Sequence, residues 1–191
     1  FGLIFLSQEI IMVLFERAFF TYTDTISTSR ALIVFALGLP AFVCVKIFQV
    51  MFFSRENTRS PMIFAGFTVL TNIFISLALF QYLGYLGIAI ATTISSWINL
   101  ILLYRESAAK KYFIFNTRLL NRIIKIIIAS TIMILILFLI EKSSSILQFS
   151  EGYIVNFLIL LCYIIIGIIF YGIICQLLKI IELKSFFRYM R

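Results

Sequence analysis

The chain has 191 residues, of which 63% are hydrophobic and 13% charged, with a mean hydropathy of +1.13 and a formal net charge of +8. A soluble domain keeps roughly a quarter of its residues charged to solvate its surface. This composition therefore excludes a soluble enzyme, a nucleic-acid-binding module and a disordered tail, and it leaves an integral membrane protein.

Six apolar runs follow in chain order, and their length and lack of alternation predict helices rather than barrel strands. The fold class expected is an all-α polytopic transmembrane bundle. The first run, about 1–15, is short of the ~20 residues a spanning helix needs; it reads as the end of a span whose beginning is missing. The second covers about 30–53. The third, about 61–83, opens on Pro61, which suits a first helical turn. The fourth covers about 86–104, the fifth about 119–140 and the sixth about 153–178. Between the first two lies a polar stretch, 16–29, in which Asp24 is the expected helix N-cap.

The connections set an orientation. Loops 54–60 and 105–118, the C-terminal tail and the first turns of the fifth span carry 12 basic residues, among them Arg55, Arg59, Arg105, Lys110, Lys111, Arg122 and Lys125. The opposite side carries 3, namely Arg17, Arg30 and Lys142. Basic residues collect in short cytoplasmic loops, so the first side, with the C-terminus, is expected to be cytoplasmic.

Within the spans few residues can carry chemistry. Lys46 is the only charge well inside one, and an intramembrane ionisable group is a functional candidate by default. Two readings stand: a lysine in a water-filled cavity, or one that snorkels to the helix end roughly 12 Å away. The third and fourth spans carry a polar seam. Thr68, Asn72 and Ser76 recur at i, i+4, and so do Gly87, Ala91, Ser95 and Asn99 on the next helix, which a tight turn makes its antiparallel neighbour. The seam reads as helix packing through Gly87, Ala91 and Ser95, or as an ion or substrate site lined by Asn72, Ser76 and Thr93. The fifth span has only Ser130 and Thr131 inside it, and the sixth has Asn156, Tyr163, Gly167 and Tyr171.

The chain has no histidine, and its three cysteines, Cys44, Cys162 and Cys175, lie in apolar runs. No disulfide framework, catalytic residue, metal site or cofactor is implied. No phosphate-binding Gly-rich loop precedes a Lys, so no ATPase is encoded.

Several stretches share the order of a known family. Leu14-Phe15-Glu16-Arg17-Ala18-Phe19-Phe20-Thr21, Arg30-Ala31-Leu32, Ala36-Leu37-Gly38-Leu39-Pro40-Ala41-Phe42, Val45-Lys46 and Phe52-Phe53-Ser54-Arg55-Glu56-Asn57-Thr58-Arg59-Ser60-Pro61 resemble the C-terminal half of the MurJ/MviN lipid II flippases. Gly87-Ile88-Ala89-Ile90-Ala91-Thr92-Thr93, Trp97-Ile98-Asn99 and Leu102-Leu103-Tyr104 are similar to the next helix of that family. The likeness runs from about 10 to 105. Ala18 stands where the family usually has Gly, and Val50 where it usually has Pro. The second departure predicts a straighter second span.

The resemblance implies the last six helices, from within the ninth, of a fourteen-helix transporter of the multidrug/oligosaccharidyl-lipid/polysaccharide flippase superfamily. It implies a non-enzymatic flippase in the bacterial inner membrane, working in peptidoglycan biosynthesis and hence in cell wall and cell shape. Two lobes would rock about a cavity and carry a lipid-linked disaccharide-peptide from the inner to the outer leaflet. Basic residues would hold its pyrophosphate, with Lys46, Arg17 and Arg30 the candidates here. The last two helices would contribute a groove for the lipid tail. The implied partners are that substrate, membrane lipids and the N-terminal lobe of the same chain, with no nucleic acid; a coupling cation stays unspecified. The competing readings are a related polysaccharide-lipid flippase or drug exporter, and a membrane scaffold without transport of its own.

Overall fold

The computed structural model describes residues 1–17, 19–113, 116–143 and 153–178. Ala18, most of the Ser-rich stretch 141–152, and the basic tail from Lys179 that entered the topology reading lie outside the described residues. So do the side chains of Ser143 and Tyr153.

The described residues form helices α1 Gly2–Phe5, α2 Ser7–Phe15, α3 Tyr22–Phe53, α4 Arg59–Leu83, α5 Tyr85–Ala109, α6 Thr117–Ser143 and α7 Tyr153–Leu177, with no strand among them. Helices α3 to α7 are each long and apolar enough to cross a membrane. Two features differ from the sequence expectation. The first apolar run is not one helix: it bends at Leu6, at φ −93 and ψ 18, where the side chain turns into an apolar core. The second span starts eight residues before position 30, at Tyr22. Asp24 therefore lies inside the first turn of α3 and not at its N-cap. Its Oδ2 accepts from the backbone N–H of Thr21 at 2.9 Å and from the Thr21 hydroxyl at 2.7 Å, so the carboxylate reaches back to an otherwise unpaired donor. At 32 residues α3 is about 48 Å long, more than the ~30 Å hydrocarbon thickness, so its polar first turns can extend beyond the apolar layer.

The chain divides into two compact units. Unit 2 spans 26–114. In it α4 and α5 form an antiparallel hairpin about Gly84, whose φ of +56 suits a residue without Cβ. Helix α5 is the buried member. Gly87, Ala89, Ala91, Thr93, Ser95, Ser96, Leu103 and Ser107 are all inside. Only Pro61 of α4 is buried, and Met62, Phe67, Phe74 and Leu77 stand out as a surface suited to lipid.

Most hydroxyls of these helices answer to their own backbone. Ser95 and Ser96 donate to the Thr92 carbonyl at 3.0 and 2.7 Å, Thr68 to Phe64 at 2.7 Å, and Ser107 to Tyr104 at 2.8 Å. Where water is excluded, such i−3 and i−4 bonds satisfy the donor without a partner helix.

Helices α3 and α5 end alike. Glu56 and Lys111 adopt left-handed φ values of 57 and 55. Asn57 N–H bonds back to the Phe52 carbonyl, and Tyr112 N–H to that of Ser107. Both are Schellman caps closed without glycine. The two ends meet: Phe52 and Tyr112 stack edge-on at 5.5 Å, the Arg55 guanidinium lies 4.4 Å over the Tyr112 ring, and Lys110 Nζ reaches Ser60 Oγ at 3.2 Å. Loops 54–60 and 105–113 thus lie at the same end of unit 2.

Unit 1 joins the first 25 residues to α6 and α7. Its core comprises Leu6, Met133, Leu137, Ile159 and Tyr163. Gly167 of α7 faces α6, where a Cβ would make an ordinary van der Waals contact with Leu137 Cδ1 at 3.5 Å. At the far end Lys125 Nζ donates to the Leu178 carbonyl at 3.0 Å and so closes the C-terminus of α7.

Candidate functional site

Lys46 stands on α3 of unit 2. Its side chain is exposed and makes no hydrogen bond or ion pair among the described residues. The α3 residues a turn or two away on the same side, Leu39, Val43, Val50 and Phe53, are exposed and apolar. The lysine is thus a single cation on an apolar stripe.

The two basic candidates of α3, Arg30 and Lys46, do not share a face of that helix. Arg30 is exposed and sixteen residues before Lys46 on the same helix. That is about 24 Å along the axis and about 160° round an ideal helix, close to the opposite face. Pro40 lies between them and removes one backbone donor from α3. Arg17 follows α2 in unit 1, with Nη2 3.4 Å from the Leu14 carbonyl.

In the seam, Ser76 Oγ lies 3.2 Å from Asn72 Oδ1, one turn apart on α4. Thr93 turns elsewhere: its hydroxyl donates to the Val34 carbonyl of α3 at 2.9 Å. One turn on, Trp97 Nε1 donates to the Leu37 carbonyl at 3.3 Å. These two bonds tie α5 to α3 across Gly38, where an added Cβ would sit 3.1 Å from Thr93 Oγ1. Sequence spacing did not reveal this pair, because its partners are 59 and 60 positions away. Asn99 Oδ1 is buried without a donor among the described residues.

Gly87 sits against α4. A Cβ there would lie 2.7 Å from the Leu79 carbonyl carbon and 2.8 Å from its oxygen. Ala91 and Ser95 follow on the same face, at 0% and 3% exposure. No group of three or more His, Cys, Asp or Glu among the described residues could hold a metal ion.

Spanning helices, a hairpin joined through a side-chain-free position and a lone cation deep in a span define a polytopic, all-helical membrane protein. Residues 1–164 match the family model described as "Lipid II flippase MurJ". A probable lipid II flippase MurJ of Rhizobium meliloti (strain 1021) is 40% identical over 132 residues, covering 69% of this chain and 25% of that protein. Its counterpart in Rickettsia prowazekii (strain Madrid E) is 35% identical over 183 residues, covering 95% and 36%. A solved structure, "Lipid II flippase MurJ, inward closed conformation", superposes with a TM-score of 0.69 at 28% identity, covering 93% of this chain and 35% of that one. The chain belongs to the lipid II flippase MurJ family, and it spans about a quarter to a third of the length of these relatives.

Proposed function

We propose that this chain forms the C-terminal part of a lipid II flippase that moves a lipid-linked peptidoglycan precursor across the bacterial inner membrane by alternating access. The observation that carries the reading is the superposition of 93% of the chain on a flippase structure at a TM-score of 0.69. The whole activity requires the other lobe, with this chain supplying three elements. Lys46 offers a positive potential for the pyrophosphate of the substrate. The hairpin α4–α5 gives this chain's own lobe a rigid body. The outer faces of α6 and α7, with Ile127, Leu135, Phe138, Leu158, Ile165 and Ile168 exposed, offer an apolar surface for a polyprenyl tail. No step calls for a catalytic residue or a cofactor. The test is translocation of labelled lipid II by the complete protein in sealed vesicles. Accumulation of substrate on the far leaflet supports the reading; substrate retained on its original leaflet, with the protein folded and inserted, refutes it.

In the same reading loops 54–60 and 105–118 and the C-terminus face the cytoplasm, because the basic residues concentrate there. Lys111→Cys and Ser144→Cys, each in a cysteine-free complete protein, should react differently with an impermeant thiol reagent applied to intact spheroplasts. Position 144 should label and position 111 should not. The reverse pattern inverts the orientation.

A further inference from the structure

Beside the apolar core of unit 1 stands a half-buried carboxylate that the flippase reading does not use. Glu9 stands on α2, followed by the apolar run Ile10 to Phe15. Its Oε2 is buried and meets no hydrogen-bond donor among the described residues. Helix α2 packs against α7, and Leu6 and Ile10 beside it belong to the cluster formed with Met133, Ile159 and Tyr163. The polar neighbours along the chain are engaged elsewhere. Gln8 Nε2 lies 3.4 Å from the Tyr22 hydroxyl, and Glu16 Oε2 accepts from the Thr25 hydroxyl at 2.7 Å.

The titratable groups within electrostatic reach of Glu9 are Tyr163 on α7 and Glu141 on α6. Helix α1 carries none. Lys142, next to Glu141, is exposed, and no cation pairs with Glu9 among the described residues. A carboxylate oxygen buried without a donor disfavours the ionised form, and Glu141, whose charge acts on Glu9, has the same sign. A metal cation would require several oxygen ligands, whereas the α2 residues on either side of Glu9, Leu6 and Ile10, belong to an apolar cluster. A proton requires one ligand.

We propose that Glu9 is a proton-binding site in the contact between α2 and α7, packed as the neutral acid, and that loss of the proton loosens that contact. The site makes the packing of α2 respond to pH at the end of unit 1 where α2 leads to α3.

The test uses the complete protein in lipid nanodiscs and reads no transport, so it stands or fails separately from the flippase reading. A hydrophobic carbodiimide reacts with protonated carboxyls in apolar surroundings. It should form an adduct on the peptide carrying Glu9 at pH 7, less of it at pH 9, and none in Glu9→Gln. Amide exchange over 7–15, corrected for the intrinsic rate, should rise between pH 7 and pH 9 in the wild type and stay level in Glu9→Gln. Absence of the adduct from folded wild-type protein overturns the proposal even if the variant fails to fold. So does an exchange profile that changes with pH equally in both proteins.

Discussion

Replacing Lys46 by alanine is expected to lower lipid II translocation by about 10- to 100-fold with the amount of folded protein unchanged; this is the loss of one charge-assisted contact worth about 1.5–3 kcal/mol. The expectation rests on the absence of any partner among the described residues. Among the described residues no carboxylate or carbonyl takes up the Lys46 ammonium, and its neighbours on the helix face are apolar. A lysine facing lipid in a spanning helix costs up to about 2.5–3.5 kcal/mol, the value that applies at the helix centre. Such a residue is retained either because water and an anionic ligand reach it or because its stem stretches to the helix end. The two cases separate by substitution. Lys46→Arg keeps the charge but changes the donor geometry, so a cavity lysine acting as a point charge predicts partial activity for Arg and little for Ala. A snorkelling lysine predicts that Ala is at least as good as the wild type, since the substitution removes only a costly charge. Full complementation of flippase-depleted cells by the alanine variant, at normal protein level, removes Lys46 from the transport mechanism.

The spans were legible in the sequence because hydropathy and length alone define a membrane helix. The expected spans 61–83, 86–104, 119–140 and 153–178 correspond to α4 Arg59–Leu83, α5 Tyr85–Ala109, α6 Thr117–Ser143 and α7 Tyr153–Leu177. The errors fall where a helix continues outside the apolar run. The stretch from Tyr22 to Ser29 is polar, yet it is helical because Asp24 caps Thr21 and Thr25 bonds Glu16. The end of α5 runs on to Ala109, where Glu106 and Lys110 pair at 2.9 Å one turn apart. Side-chain partners were less legible than spans. The expected ion or substrate site grouped Thr93 with Asn72 and Ser76 of α4, whereas its hydroxyl donates to the Val34 carbonyl of α3. In the sequence Glu9 is a lone acid in one short apolar run. Its significance comes from α6 and α7, which are more than a hundred residues away in the chain.

The hairpin of α4 and α5 should be the element most sensitive to a single added side chain. At Gly87 the nearest atoms to a new Cβ are the carbonyl carbon, the carbonyl oxygen and the Cβ of Leu79, at 2.7, 2.8 and 2.9 Å. Two of these are backbone, so no rotamer change relieves the clash and the helices must part. The damage spreads along the seam, because Ala91 and Ser95 lie buried on the same face one and two turns on. In a membrane no hydrophobic force draws helices back together, and close van der Waals contact is the main term lost. Gly87→Leu is therefore expected to destabilise the protein by at least about 1–3 kcal/mol, the usual cost of overpacking. Gly87→Ala should follow in the same direction with a smaller loss. Gly66 provides the control. It is a glycine of α4 with nothing within 4 Å of an added Cβ, so Gly66→Leu should leave the thermal midpoint of the complete protein in detergent close to the wild-type value. Equal midpoints for Gly87→Leu and Gly66→Leu would show that the two helices do not depend on this contact.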